Sequence, residues 1–144
     1  MSDSALQAKG NAIYMDNTAN LSGYAGYLVT FAGGNPTLNA STTIPAVGVV
    51  ADARTRIPLS GGTTYYDNAI GILGGLPGPM RGWVDLGSVA LNFGDRVMQA
   101  ASGGVTKEVT GSARVVVGIC TDKNGAQPGD LTEITFFTPL YLTY

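Results

Sequence analysis

Histidine is missing from the chain altogether. That removes the usual base of a serine or cysteine triad and the commonest zinc ligand. Cysteine is nearly missing. Cys120 alone excludes an internal disulfide framework. It lies in the apolar run Val115-Val116-Val117-Gly118-Ile119-Cys120 with no cation beside it in sequence, so it reads as an inert buried thiol. These features fit a chain made and folded in a reducing cytoplasm. Charge is scarce as well, at 12% of residues against roughly 25% in ordinary soluble domains. The eight basic residues are scattered, with Arg54 and Arg56 the closest pair, so no stripe tracks a phosphate backbone and nucleic acid is not an expected partner. No run approaches the roughly 18 apolar residues that cross a bilayer, and Met1-Ser2-Asp3-Ser4-Ala5-Leu6 lacks the pattern of a signal peptide. Neither Gly61-Gly62 nor Gly74-Gly75 leads into Lys-Ser/Thr, and no GxGxxG occurs, so no phosphate-binding or dinucleotide-binding loop is expected. Paired carboxylates are the remaining route to an active site. Asp95 and Asp130 sit in turn phrases, while Asp52 and Asp122 follow apolar strands, where a solvated cap is the ordinary role. The expectation is a protein with no catalytic residues, cofactor or metal.

What fills the chain instead is glycine, with 21 residues, together with Thr, Ser and Asn around a hydrophobic share of 44%. A length of 144 residues fits one domain with a real core. Much of its surface is polar but uncharged, and a net charge of −2 gives little mutual repulsion. Such a surface favours a protein that lives inside an assembly, the alternative being an extracellular monomer of the same composition.

Short β-prone runs opened by tight turns recur through the chain, and in its first half no useful 3.6-residue periodicity competes with them. Tyr27-Leu28-Val29-Thr30-Phe31 ends at the turn cluster Gly33-Gly34-Asn35-Pro36, and Ala46-Val47-Gly48-Val49-Val50-Ala51 is an apolar run after Pro45. Trp83-Val84-Asp85-Leu86 and Val89-Ala90-Leu91 read as strands of a hairpin around Gly87-Ser88. Gly94-Asp95 and Gly129-Asp130 open the runs Arg96-Val97-Met98 and Leu131-Thr132-Glu133-Ile134. The class is all-β, with about eight to ten short strands. A 70-residue shift lays Gly33-Gly34 on Gly103-Gly104, Val47-Gly48-Val49 on Val117-Gly118-Ile119 and Asp52 on Asp122, so residues 26–52 echo 96–122. In each Val-Gly strand the glycine would let a neighbour pack close against the backbone.

Three stretches stand out as candidate interfaces. Residues 1–22 precede the β domain of residues 23–144 and read either as a loose terminus or as an extended arm that pairs with a neighbouring chain, anchored by Ile13, Tyr14 and Met15. After the aromatic pair Tyr65-Tyr66, the uncharged stretch from Ile70 to Met80, with Ile72, Leu73, Leu76 and Met80, is apolar yet broken by glycine and two prolines. It reads as a loop lying on another protein, the alternative being a loop folded over its own core. The chain ends in apolar material, with Leu140, Tyr141 and Tyr144 either closing its own sheet or lying on a partner subunit.

The order of phrases Phe93-Gly94-Asp95-Arg96-Val97, Gly103-Gly104-Val105-Thr106, Val115-Val116-Val117-Gly118-Ile119 and Pro128-Gly129-Asp130-Leu131-Thr132-Glu133-Ile134 resembles the capsid decoration, or cement, proteins of tailed bacteriophages. The resemblance covers residues 93–136 directly and 26–52 through the echo. It implies a compact β-barrel or a jelly-roll sandwich. It also implies a structural, non-enzymatic role on the outer face of an expanded virion shell, bridging major capsid proteins. The protein would be synthesised in the host cytoplasm and act as a homotrimer or homodimer. Two other readings start from the same residues. One is a glycan-binding sandwich using Tyr65, Tyr66 and Trp83 as an aromatic platform, and the other is a head-fibre or tail connector domain.

Overall fold

The β-branched and aromatic runs form strands, and the glycine and aspartate clusters between them form turns. The structure, a computed structural model, describes residues 12–54, 57–58, 65–66, 69–74 and 78–144. In the first half lie β1 (Ala12–Asp16), β2 (Leu28–Ala32), β3 (Asn35–Leu38), β4 (Gly48–Arg54), β5 (Ile57–Pro58), β6 (Tyr65–Tyr66) and β7 (Ala69–Gly74). In the second lie β8 (Gly78–Trp83), β9 (Arg96–Gln99), β10 (Val105–Lys107), β11 (Arg114–Cys120) and β12 (Leu131–Leu142). The described strands make two five-stranded antiparallel sheets, ordered β1-β7-β4-β2-β3 and β10-β9-β11-β12-β8, with β5 and β6 pairing separately. The sheets pack together as a β-sandwich, and the strand ladders do not close into a barrel.

Each sheet is drawn from one half of the chain. From its edges inward, β8-β12-β11-β9-β10 repeats the order β1-β7-β4-β2-β3. The residues of the 70-residue echo fall in equivalent places. Gly33-Gly34 and Gly103-Gly104 lie in the connections β2–β3 and β9–β10, and the two Val-Gly phrases lie in β4 and β11. Both of these strands carry a register shift against their neighbours, between Val50 and Ala53 in one and between Val116 and Gly118 in the other. An extra residue at a bulge breaks the two-residue alternation, and Val115, Val116 and Val117 are accordingly all buried. At Gly118 a Cβ would lie 2.6 Å from the Thr135 carbonyl oxygen, so β12 packs directly on this backbone.

The larger core joins the sheets. Val97, Val105, Val115, Val117, Cys120, Ile134 and Phe136 of the second sheet pack with Leu28 and Val49 of the first. Neighbouring strand residues face opposite ways. Val29 therefore points away from Leu28, into a second core with Leu21, Val50, Ile70 and Ile72, against which Met15 and Leu38 pack. Edge strands β1 and β3 approach one another, which curls the first sheet around this smaller core.

Several expectations are corrected. The apolar stretch with prolines is not a loop along its described length but strands β7 and β8. Pro79 is tolerated because β8 is an edge strand, where a missing N–H costs no ladder bond. Trp83–Leu91 is not a hairpin. Val84 bridges Val105 in parallel, Leu91 bridges Ala126, and Asp85 bends the chain between them by accepting the Gly87 N–H at 2.8 Å. Residues 12–16 of the N-terminal arm form an edge strand of the chain's own sheet, paired with β7 from Ala12↔Leu73 to Asp16↔Ala69. Of the two readings of the tail, closing its own sheet is the one that holds, because β12 pairs with β11 as far as Leu142.

Candidate interaction surface

Of the four acidic residues that might have made a reaction centre, Asp95, Asp122 and Asp130 hold turns, and the side chain of Asp52 lies outside the described residues. Asp95 Oδ2 accepts the Asn92 N–H at 2.8 Å, and Asp130 Oδ2 accepts the Gln127 N–H at 2.8 Å. In both turns the preceding glycine holds a left-handed φ, 91° at Gly94 and 90° at Gly129, which a side chain would strain. Asp122 splits its carboxylate between the Asn124 N–H and the Thr132 hydroxyl, both at 3.0 Å. Cys120 is buried, and burial is the main cause that pushes its thiol pKa up. Among the described residues, no group of three or more acidic or cysteine side chains is placed to hold a metal, and no helix is long and apolar enough to cross a membrane.

The residues expected to form interfaces separate into three groups. Ile72 and Leu73 are core residues, buried in β7, and present nothing to a partner. Met80 is half-buried and packs on the larger core, and Met15 packs on the smaller one. Tyr14 is half-buried. Ile13, Leu140, Tyr141 and Tyr144 are exposed, Tyr144 most of all at 77%. The backbones of Tyr65 and Tyr66 pair with Pro58 and Ile57; their side chains and Leu76 lie outside the described residues.

Sequence reasoning missed a further set of exposed apolar side chains. Leu86 (73% exposed), Val89 and Phe93 (64%) sit on the single stretch between β8 and β9. That stretch is tied down by backbone bonds from Val84 to Asp130, Gly129 to Val84 and Leu91 to Ala126, each at 2.8–2.9 Å. Ile44 and Val47 are exposed on the β3–β4 connection, and Val109 follows β10. The available signal was turn chemistry. Asp85-Leu86-Gly87 and Phe93-Gly94-Asp95 place an apolar residue at the tip of a turn, where no strand can bury it.

One charged cluster fastens the end of the chain, beside Val109. Arg114, buried in β11, donates to Glu108 through Nε and Nη2, both at 2.7 Å, and through Nη1 to the carbonyl oxygens of Ser112 and Tyr144. Arg96 approaches the same carboxylate at 3.0 Å. The Arg114 guanidinium also lies 5.9 Å from the centre of the Tyr144 ring. The end of β12 is thereby fastened to the β10–β11 connection, while Leu140 and Tyr141 stay open to solvent.

Trp83 is not an open platform. Its ring stacks on Tyr27, with centroids 4.3 Å apart and planes 11° apart, and Tyr24 meets Tyr27 edge-on at 5.0 Å. Gly104 lies so close to the indole that a Cβ there would collide with ring carbons. The Tyr27 hydroxyl pKa is pushed up by burial first, then by Tyr24 and Asp85. This cluster joins the sheets, since the Trp83 N–H donates to the Gly26 carbonyl at 3.0 Å and the Leu28 N–H to the Gly103 carbonyl at 2.7 Å. Compared with protein-family models, curated proteins and solved structures, the chain matches none.

Proposed function

We propose that this chain is a non-enzymatic capsid decoration protein. It would bind the outer face of an expanded phage head and bridge neighbouring major capsid subunits. The observation that carries the reading is the placement of large apolar side chains on braced loops and on the end of β12, in a chain with eight basic and ten acidic residues. A free soluble domain gains nothing by fixing Leu86, Phe93 and Tyr144 in water. A lattice protein buries such residues in several small contacts, each weak, that add through multivalency. The turns of the resembling phrases support the same reading, because Asn92–Asp95 and Gln127–Asp130 share one hydrogen-bonding scheme. We take the finer architecture as a sandwich of two half-chain sheets rather than a jelly roll, in which two Greek keys span both sheets. Against the glycan reading stands Trp83, one of its three platform residues, which stacks on Tyr27.

Co-sedimentation with expanded, undecorated shells, alongside unexpanded ones, tests the proposal. Saturable binding to the expanded shells alone is expected, and its stoichiometry distinguishes homodimer from homotrimer. Failure to bind either form would overturn it.

A further inference from the structure

Eight asparagines occur in the chain, and only Asn124 is followed by glycine. Where the next residue has no side chain, its backbone nitrogen lies unshielded within reach of the asparagine side-chain carbon. Other asparagines are less open to that attack. Asn35 precedes Pro36, which has no amide N–H, and Asn92 precedes Phe93, whose side chain crowds the approach. Asn17 and Asn39 are buried, and each engages both ends of its side-chain amide. Asn17 accepts the Leu21 N–H at 2.7 Å and donates to the Ser22 hydroxyl at 3.1 Å. Asn39 accepts the Ser41 N–H at 2.9 Å and donates to the Ile44 carbonyl at 3.0 Å. Asn124 is exposed, in the turn from Asp122 to Gly125.

The fold requires the glycine. Gly125 holds a left-handed φ of 71°, and a Cβ there would collide with the Leu91 carbonyl oxygen. The same turn restrains the pair it requires. The Gly125 N–H donates to the Asp122 carbonyl at 2.9 Å, and Asp122 Oδ1 accepts the Asn124 N–H at 3.0 Å. A nitrogen whose proton is held in a hydrogen bond is a poor nucleophile until the turn opens. Just beyond the turn, Leu91 and Ala126 exchange both backbone bonds, at 2.8 and 3.0 Å. Those bonds brace the stretch that bears Leu86, Val89 and Phe93.

We propose that Asn124 is a site of spontaneous deamidation gated by opening of the Asp122–Gly125 turn, and that its isoaspartyl product releases the Leu91–Ala126 bridge. When the turn opens locally, the Gly125 amide gives its proton to water or hydroxide, and its nitrogen attacks Asn124 Cγ. A nitrogen–carbon bond forms, the side-chain amide takes up a proton and leaves as ammonia, and a cyclic succinimide remains. Water then opens the ring at either carbonyl, giving aspartate or isoaspartate with no change of oxidation state. Isoaspartate routes the main chain through the side-chain carbon. The added backbone carbon lengthens a turn whose ends are fixed by ladder bonds, and the bridge beside it gives way. The site stands independently of the capsid reading. It sets a slow chemical clock beneath exposed apolar residues.

The test is prolonged incubation of the intact protein in mildly alkaline buffer, folded and in urea, with peptide mapping by mass spectrometry and enzymatic detection of isoaspartate. The folded wild type is expected to gain acid at position 124 while Asn17 and Asn39 stay amides, at a rate at least about tenfold below that in urea. Asp122→Ala, which lacks the cap on the Asn124 N–H, is expected to react several-fold faster than the wild type while still folded by circular dichroism. The isoaspartyl fraction, separated by ion exchange, is then compared with Asn124→Asp, which carries the same charge on a normal backbone. Amide hydrogen exchange at Leu91 and Ala126 should be at least about tenfold faster in the isoaspartyl fraction and unchanged in Asn124→Asp. Absence of acid at position 124 in both folded and unfolded protein would overturn the site. Equal rates in the two states would overturn the gating. Unchanged exchange in the isoaspartyl fraction, or equal acceleration in Asn124→Asp, would overturn the release of the bridge by the altered backbone.

Discussion

The two sheets share one strand order but use it differently. In the second sheet a single core of Val97, Val105, Val115, Val117, Ile134 and Phe136 anchors the strands, and side-chain-capped turns at Asp95, Asp122 and Asp130 define the loops. The first sheet carries a core on each face. Leu28 and Val49 face the second sheet, while Val29, Val50, Ile70 and Ile72 fill a smaller core of their own. Its link between the fourth and fifth strands carries the extra pair β5 and β6, where the second sheet has the short stretch holding Asp122 and Gln127–Asp130. The same ladder thus serves as an anchored unit in one half and as a unit leaning on its neighbour in the other. The difference lies in the connections and in which faces find cover.

Breaking the larger core is expected to have the greatest effect. Phe136→Ala should cost about 3–5 kcal/mol, against a total of about 5–15 for a domain of this kind. Because Leu28 and Val49 belong to the same core, both sheets should unfold together. Trp83 fluorescence and far-UV circular dichroism in urea should give coincident transitions; separated transitions would make the sheets independent units. Ile72→Ala strikes the smaller core and should cost about 2–4 kcal/mol, in the same single transition. Gly118→Ala comes next, at about 1–3 kcal/mol, since the added methyl meets the backbone of β12. A stability change below about 0.5 kcal/mol would mean that β12 does not pack on Gly118 as described.

Gly94→Ala and Gly129→Ala compare two turns of one design. Each should cost about 1–2 kcal/mol for the left-handed φ. The two costs should be similar, because a Cβ at Gly94 meets open space and one at Gly129 meets only the end of the exposed Leu86 side chain, which can swing aside. Costs that differ by more than about 1 kcal/mol in urea denaturation would contradict the matched geometry. The smallest effect concerns pH. Burial raises the Cys120 pKa, so the folded state favours the neutral thiol. That contribution is intact below the unfolded value of about 8.5 and is lost as pH climbs through the raised one. Melting temperature should therefore fall gently above pH 8.5 in the wild type and less so in Cys120→Ala. Equal slopes would show that the thiol does not contribute.

Much of this fold was legible because β-branched runs and Gly-Asp turns act locally. Leu28–Ala32, Arg114–Cys120 and the start of β12 stand where the alternation and turn residues place them. The stretch from Ile70 to Met80 misled because proline and glycine in sequence do not reveal whether a strand is central or at an edge. Pro79 is harmless only because β8 has a neighbour on one side. Ile72 and Leu73 likewise looked available to a partner until β1 and β4 flanked them on either side. Trp83 looked like a ligand platform because its stacking partner, Tyr27, is remote in the chain. Ile44 was passed over for the opposite reason. The backbone carbonyl of Ile44 is held by Gln99, which is 55 residues away.

The proposed role requires that this protein reinforce a shell rather than merely adhere to one. Heating DNA-filled expanded heads with and without saturating protein, and following DNA release by dye fluorescence, tests it most directly. Decorated heads should release their DNA at a clearly higher temperature, and the gain should disappear when the protein is omitted. Saturated heads that rupture at the same temperature as bare ones would contradict the account.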